Sequence, residues 1–598
     1  MPPLKTIQQL KTLSTSALTN FLASAFVKIV GGDPIVRRIV GKKSFKGKKK
    51  CSLKPRSPNK PHTTPSSGGG DSSVLTTAHT ALQVTRIQQY LGEGVPKDTR
   101  ESLLHQVLLE VTEALTRPRR GKKHDVGFEM RVQRLHRALS HTLDTLLGSH
   151  VATLDLTPIQ HQVLKWLSTC RLNNRDPKAT GSLTTARLEN MMLVVLGENV
   201  SRLASLSTLI WPHLVTGEAI KLIGGHCRSL KRLELACNCE ATFAMNYVKE
   251  DPEFAKQEKA LVSSLGALYD RAPGDFSGTK PGGCPKLKKL ILPRLDDEDG
   301  GLAMHVTRAL CHLRGLESIT GAPMLVSLSQ LRQERNAPSS LSLKHLSDID
   351  TYNRRPVPDM QYLTQIVPKL TTIEVIMSEN VTVAVLNAFP SATSLSLTLP
   401  DFYLSARRYK NLRHLDINLE FQVAWPLLQA LSKGRIPLET LTIRHSTFQM
   451  GLDSCTNEIS ILAPVRLPSL TSFTLIRSSF IEFNALKTLM SGTPNLKNLT
   501  LTLTDDRNYM VDELNDSLVN VIAPFLPSLT FFTAECQYKT NLYNQPNCVL
   551  TMAAVEMLCD KCPLLKFIGH LDVWDVTEEE VKRLNDWVKR NNYDLHVV

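Results

Sequence analysis

The chain is poor in aromatic residues and in long apolar runs. Phe, Trp and Tyr make up 6% of its 598 residues, and no uninterrupted apolar stretch reaches the about 18 residues that a membrane span requires. The nearest candidate, Ala17 to Val30, is broken by Thr19, Asn20, Ser24 and Lys28 and has no small-residue cleavage pattern, so neither a membrane span nor a secretory signal is expected. A phosphate-binding glycine loop, a nucleophile elbow and a His-Glu-x-x-His phrase are also missing. The 17 His residues, with Asp and Ser in plenty, could furnish a triad in some arrangement, but catalytic use requires a base oriented by a third group and none of those phrases accompanies them. The sequence therefore predicts no enzymatic activity, no metal and no cofactor. Acids are absent from one region in particular: residues 1–70 hold fourteen Lys or Arg against the single acid Asp33, so nearly all of the net charge of +15 lies there.

What is present is the composition of a folded protein, 42% hydrophobic with a mean hydropathy of -0.12. The length exceeds what one compact core serves, so several domains or a solenoid is expected. The 12 Cys are spread from Cys51 to Cys562 without a secretory signal, which predicts free thiols in a reducing compartment, cytoplasmic and/or nuclear. Residues 1–30 form a candidate amphipathic helix with Ile7, Leu10, Leu18, Phe21, Leu22, Phe26 and Ile29 near one side. Residues 31–73, basic and rich in Pro, Gly and Ser, cannot bury a core and are expected to be a disordered linker. Apolar residues return at helical spacing over 74–147, with Leu103, Leu104, Val107, Leu108, Val111 and Leu115, then Phe128, Val132, Leu135, Leu139, Leu143 and Leu146. That unit is expected to be a docking element or an N-terminal cap.

Over 148–598 the chain repeats itself. The phrase is a Leu, two variable residues, a Leu, one variable residue and a third apolar residue, as in Leu230-Lys-Arg-Leu233-Glu-Leu235 and Leu287-Lys-Lys-Leu290-Ile-Leu292. Further copies open at Leu313, Leu370, Ala392, Leu412, Leu438, Leu470, Leu496, Leu529 and Leu565, with a weaker one at Leu343 and degenerate ones near Leu154 and Leu203 to Leu209. Between them lie amphipathic stretches such as Leu427, Leu428 and Leu431. One short strand and one helix per repeat, neither able to bury its apolar face alone, predict an α/β solenoid curved into a horseshoe. The wider gap near 240–283 is expected to be an insertion, and Val581, Leu584 and Val588 a closing helix.

Cys284-Pro285-Lys286-Leu287, Thr493-Pro494-Asn495-Leu496 and Cys562-Pro563-Leu564-Leu565 resemble the repeats of the F-box leucine-rich-repeat proteins and the ribonuclease-inhibitor-like superfamily. The resemblance implies repeats that hold a protein substrate and an N-terminal segment that recruits a cullin-RING ubiquitin ligase through its adaptor. Leu10, Phe21, Leu104 and Leu108 are the docking residues it suggests. The opposing expectation is a scaffold, nuclear or otherwise intracellular, that meets no ligase.

In each strand the residue between the two apolar positions faces away from the core. In order these are Glu234, Ile291, Ser318, Glu374, Ser396, Asp416, Thr442, Thr474, Thr500 and Thr533. This hydroxyl-rich row with scattered acids and no cation suits a protein with polar or basic groups, and leaves nucleic acid to the basic tail, where Lys42, Lys43, Lys48, Lys49 and Lys50 cluster. Cys559-x-x-Cys562 and Cys237-x-Cys239 have the look of metal-ligand pairs. Yet Cys227, Cys284 and Cys562 share one place in the repeat phrase, which predicts core packing. The run Asp296 to Asp299 reads as a solvated loop.

Overall fold

The computed structural model describes residues 97–116, 128–147, 151–157, 193–199, 203–211, 217–235, 259–269, 283–293, 301–349, 359–376, 379–399, 405–420, 422–448, 464–478, 480–504, 514–537, 548–569, 571–590 and 594–597, with residues 19, 20, 22, 23, 159, 162 and 402. Leu10, Phe21, the lysine cluster, Cys237, Cys239 and the acidic run at 296–299 lie outside them. Two units divide the chain, Met1–Leu316 and Glu317–Val598.

The first unit opens with helices α1 (Lys97–Thr116) and α2 (Phe128–Leu146). Their apolar positions at three- and four-residue spacing turn inward: Leu103, Leu104, Val107, Leu108 and Val111 from α1 and Leu135, Leu139 and Leu143 from α2 are all buried. Thr19 donates from its hydroxyl to Gln106 Oε1 of α1 at 2.9 Å, and Leu22 beside it is buried. Four parallel strands follow, β1 (Thr153–Asp155), β2 (Thr208–Ile210), β3 (Arg232–Glu234) and β4 (Lys289–Ile291), paired in chain order. Their central residues Leu154, Leu209, Leu233 and Leu290 stand in register and are buried, the flanking ones half-buried.

The expected insertion is not wholly extra chain. Residues 259–264 are helical and run into a 3-10 helix, Leu265–Leu268, that buries Leu261, Leu265 and Leu268 beside α3 (Gly217–His226) and α4 (Gly301–His312). This is the helical half of a repeat. Glycine permits the approach, since a Cβ at Gly224 would lie 2.1 Å from the Ala267 carbonyl oxygen.

The second unit carries the parallel series β5 (Ser318–Thr320), β6 (His345–Ile349), β7 (Thr372–Ile376), β8 (Ser394–Thr398), β9 (His414–Asn418) and β10 (Thr440–Arg444). Between β10 and the next strand of the series stands the short β11 (Thr447–Phe448), paired with β13 (Phe480–Ile481). The series resumes with β12 (Ser472–Ser478), β14 (Asn498–Thr504), β16 (Phe531–Gln537), β18 (Phe567–Gly569) and β19 (His596–Val597), while β15 (Leu514–Asn515) pairs with β17 (Cys548–Val549). Helices α5 (Met324–Leu331), α6 (Met360–Ile366), α7 (Glu379–Ala388), α8 (Trp425–Lys433), α9 (Phe483–Ser491), α10 (Asp516–Ile522) and α11 (Met552–Lys561) separate the strands. Between β8 and β9 the described connection is a 3-10 helix, Ala406–Arg408. Helix α12 (Glu578–Arg590) buries Leu584 and Val588 as expected of a closing helix, but a further strand, β19, follows it.

Threonine recurs where the chain enters a strand because its hydroxyl can bind the preceding rung. Thr371, Thr393, Thr471 and Thr530 each donate from Oγ1 to a backbone carbonyl of the neighbouring repeat, those of Lys344, Thr371, Glu439 and Lys497. Cys227, Cys284 and Cys562 are at most 1% exposed. Burial pushes the Cys227 and Cys562 thiols up to about 12, so they serve packing between layers and remain protonated at neutral pH.

One repeat is out of the expected register. The phrase assigned to Leu313 begins at Leu316. Leu313 still belongs to the end of α4, donating its N–H to Ala309 O, and the turn falls between it and Leu316. The strand residue that follows the buried Ile319 is then Thr320, and Ser318, only 7% exposed, precedes it.

Candidate recognition face

The strands place seven of the expected residues on consecutive rungs. Glu374, Ser396, Asp416, Thr442, Thr474, Thr500 and Thr533 pair in that order, each with the next. The first six are half-buried. Thr533 is 5% exposed and its Oγ1 has no hydrogen-bond partner. It lies beside Phe531 and Phe567, whose rings stack at 4.4 Å, and beside Gly569, where a Cβ would fall 2.6 Å from a Phe567 ring carbon. His596 meets Phe567 edge-on at 5.9 Å. This aromatic ladder carries no periodic signal of its own and was invisible in the repeat phrase.

The three acids of the row are engaged within the chain, contrary to the expectation that they stand ready for a basic partner. Asp416 takes two bonds from Arg444, at 2.8 and 2.9 Å, and Glu234 takes one from Arg232 at 2.6 Å. Glu374 faces His345, Nε2 to Oε2 at 3.5 Å. Its carboxyl is held below the usual glutamate range by hydrogen bonding to that imidazole, against a smaller opposing effect of burial. His345 Nδ1 in turn lies 3.0 Å from Ser318 Oγ. A hydroxyl, an imidazole and a carboxylate thus stand in series across β5, β6 and β7. With Ser318 buried its oxygen has little access to a substrate, and the series cross-links three strands.

The absence of cations also fails to extend beyond the single row. Arg232, Lys289 and Arg444 each stand two residues from Glu234, Ile291 and Thr442 within their own strands, because each strand presents more than one residue to its open side.

Leu104 and Leu108 are not open to a partner, being 0% and 1% exposed. The polar side of α1 has a different task. Glu101 Oε1 accepts the Thr153 N–H at 2.9 Å and Oε2 the Ala152 N–H at 3.4 Å, while His105 Nε2 accepts the Asp155 N–H at 3.0 Å. Thr153 and Asp155 are the alternate donors of β1 that turn away from β2, to which Leu156 N–H is bonded. An exposed strand edge is a template for unwanted pairing, and α1 supplies the acceptors a preceding strand would have supplied. Because the Asp155 amide can only donate and the Glu101 carbonyl, 3.0 Å from His105 Nδ1, can only accept, His105 is the neutral Nδ1–H tautomer.

No protein-family model and no curated protein matches the chain. Among solved structures it is similar to the crystal structure of the Rad7 and Elc1 complex in yeast, at 14% identity over 74% of this chain and 96% of that one, with a TM-score of 0.30. Similarity of that degree does not carry over sites, activity or partners. Among the described residues no helix is long and apolar enough to cross a membrane.

Proposed function

We propose that the chain is a protein-recognition solenoid of the leucine-rich-repeat type, which holds a protein partner on the open face of its strands. The observation that carries this reading is the seven-residue row from Glu374 to Thr533, on adjacent strands and mostly half-exposed. Parallel strands flanked by helices ordinarily bury both faces. A face left open and lined with hydroxyls offers hydrogen bonds at regular spacing to an extended segment.

Within this reading, a ligase receptor and a non-ligase scaffold differ in what the N-terminal region does. Capping of β1 by Glu101 and His105 supports the cap over the docking element for α1. A receptor must then contact its adaptor through residues preceding α1, where Leu10 and Phe21 are the candidates. Affinity purification of the full chain, of Leu10→Asp/Phe21→Asp and of Thr442→Lys/Thr474→Lys, with mass spectrometry of what is retained, tests both levels. Cullin and adaptor retained by the full chain and lost with the first variant support the receptor. Partners lost only with the second variant, with no cullin in any sample, support the scaffold. In that case neutralising Lys48, Lys49 and Lys50 tests whether the basic tail directs localisation or nucleic-acid contact. Partners indifferent to Thr442→Lys/Thr474→Lys would sink the recognition face.

A further inference from the structure

Residues 228–235 and 284–292, which form the entering turns and strands of β3 and β4, hold six cations, Arg228, Lys231, Arg232, Lys286, Lys288 and Lys289, against one acid, Glu234. The two segments are adjacent: Arg232 is in register with Lys289, and the Lys288 and Lys289 N–H groups both reach Lys231 O. Like charges thus face each other across two strands about 4.8 Å apart, an arrangement that costs stability. Glu234 is committed to Arg232, and among the described residues Arg228, Lys231, Lys286 and Lys289 have no acidic partner. In the second unit three cations entering strands find an acid on a neighbouring repeat, Lys344 with Glu317 at 2.8 Å, Arg413 with Glu439 at 2.7 Å and Lys566 with Asp594 at 3.1 Å, and among the described residues Lys497 before β14 stands singly. β3 and β4 with their entering turns thus bring four cations without an acidic partner among the described residues onto two adjacent strands.

We propose that this patch binds a phosphorylated, acidic peptide. The inference rests on the protein-recognition reading above and adds to it the chemistry of a partner. Lysines supply point charges to a phosphate dianion and arginine a planar fork. On the next rung Ile210 and Ile291 flank Glu234, half-exposed, and offer apolar contact to residues beside the phosphate. Nucleic acid is the less favoured occupant. Single-strand binders add aromatic stacking platforms to their cations, whereas the outward residues of β1 to β4 are Thr153, Asp155, Thr208, Ile210, Arg232, Glu234, Lys289 and Ile291, with no ring among them.

The test is fluorescence anisotropy with the full-length chain. The probes are a labelled peptide carrying two phosphoserines among Asp and Glu, the same peptide with plain serines, and single-stranded DNA of equal charge. Lys231→Glu/Lys289→Glu should weaken phosphopeptide binding by about tenfold or more, equivalent to about 1.4 kcal/mol. The charge-matched Lys433→Glu/Lys487→Glu, on the exposed sides of α8 and α9, should change it less than about twofold. Lys231→Gln/Lys289→Gln guards against misfolding, since relieving the like-charge contact should raise the melting temperature while binding falls. Equal effects of the two charge reversals, no preference for phosphoserine, or DNA bound as tightly and lost in parallel would each overturn the proposal. If phosphopeptide binding survives Lys231→Glu/Lys289→Glu while Thr442→Lys/Thr474→Lys abolishes partner capture, this inference alone falls. If neither variant changes anything, the recognition reading falls with it.

Discussion

At the scale of single residues, the open face is held in shape by the polar groups expected to meet a partner. Asp416 and Arg444 are each about a third or more exposed, so their pairing is worth under about 1 kcal/mol. Asp416→Ala should accordingly shift the urea midpoint only slightly, and a large loss of stability would show the pair to be structural. Glu374 behaves differently with pH. Its carboxyl is lowered in the fold, so its stabilising contribution is present above the ordinary glutamate range and is lost as pH falls through the lowered value. The stability difference between the native chain and Glu374→Gln should then shrink on acidification, and a pH-independent difference in urea titrations would contradict the pairing with His345. The row itself was legible in the sequence because side chains alternate along a strand. Its internal pairing was not, since Arg444 and Asp416 meet only once β9 and β10 are in register.

At the scale of elements, α1, for which the sequence leaves both a docking element and an N-terminal cap open, bonds the free edge of β1 through Glu101 and His105. Its hydrophobic spacing predicted the helix and its buried stripe, but not which surface would cover that stripe. Leu104→Ala should cost about 2–5 kcal/mol as a core truncation, so loss of partner binding in a Leu104→Asp protein would report unfolding. His105→Ala should expose the Asp155 amide, at a cost of about 1 kcal/mol, and speed its hydrogen exchange. Unchanged exchange there would mean that α1 does not seal the edge. Gly224→Ala should destabilise by about 1–3 kcal/mol through overpacking against Ala267, read by circular dichroism in urea. A neutral result would place the 259–268 segment away from α3.

At the scale of the whole molecule, layers that contact mainly their neighbours make stability a sum of local terms. In the second unit β19 follows α12 and adds a rung to β18, His596 donating its N–H to Lys566 O at 2.7 Å. A partner that engages the open face does so on strands whose helices are packed on the other side. This lets the open positions vary residue by residue without disturbing the core, as in the hydroxyls on β10 to β16 of the second unit and, separately, the cations on β3 and β4 of the first.

The strand-and-helix repeat, the buried cysteines and the closing helix were determined by the sequence itself, because each is a local pattern: alternation for strands, a three- to four-residue spacing for helices, one small thiol per turn. Only tertiary structure decided which residues stand opposite one another. The register that begins at Leu316, the helical half-repeat within the wide gap, the engagement of Asp416 by Arg444, the neutral tautomer of His105 and the cationic patch all depend on contacts between residues far apart in the chain. A repeat phrase cannot encode those contacts, since every copy of it satisfies the core in the same way and leaves the open positions unconstrained.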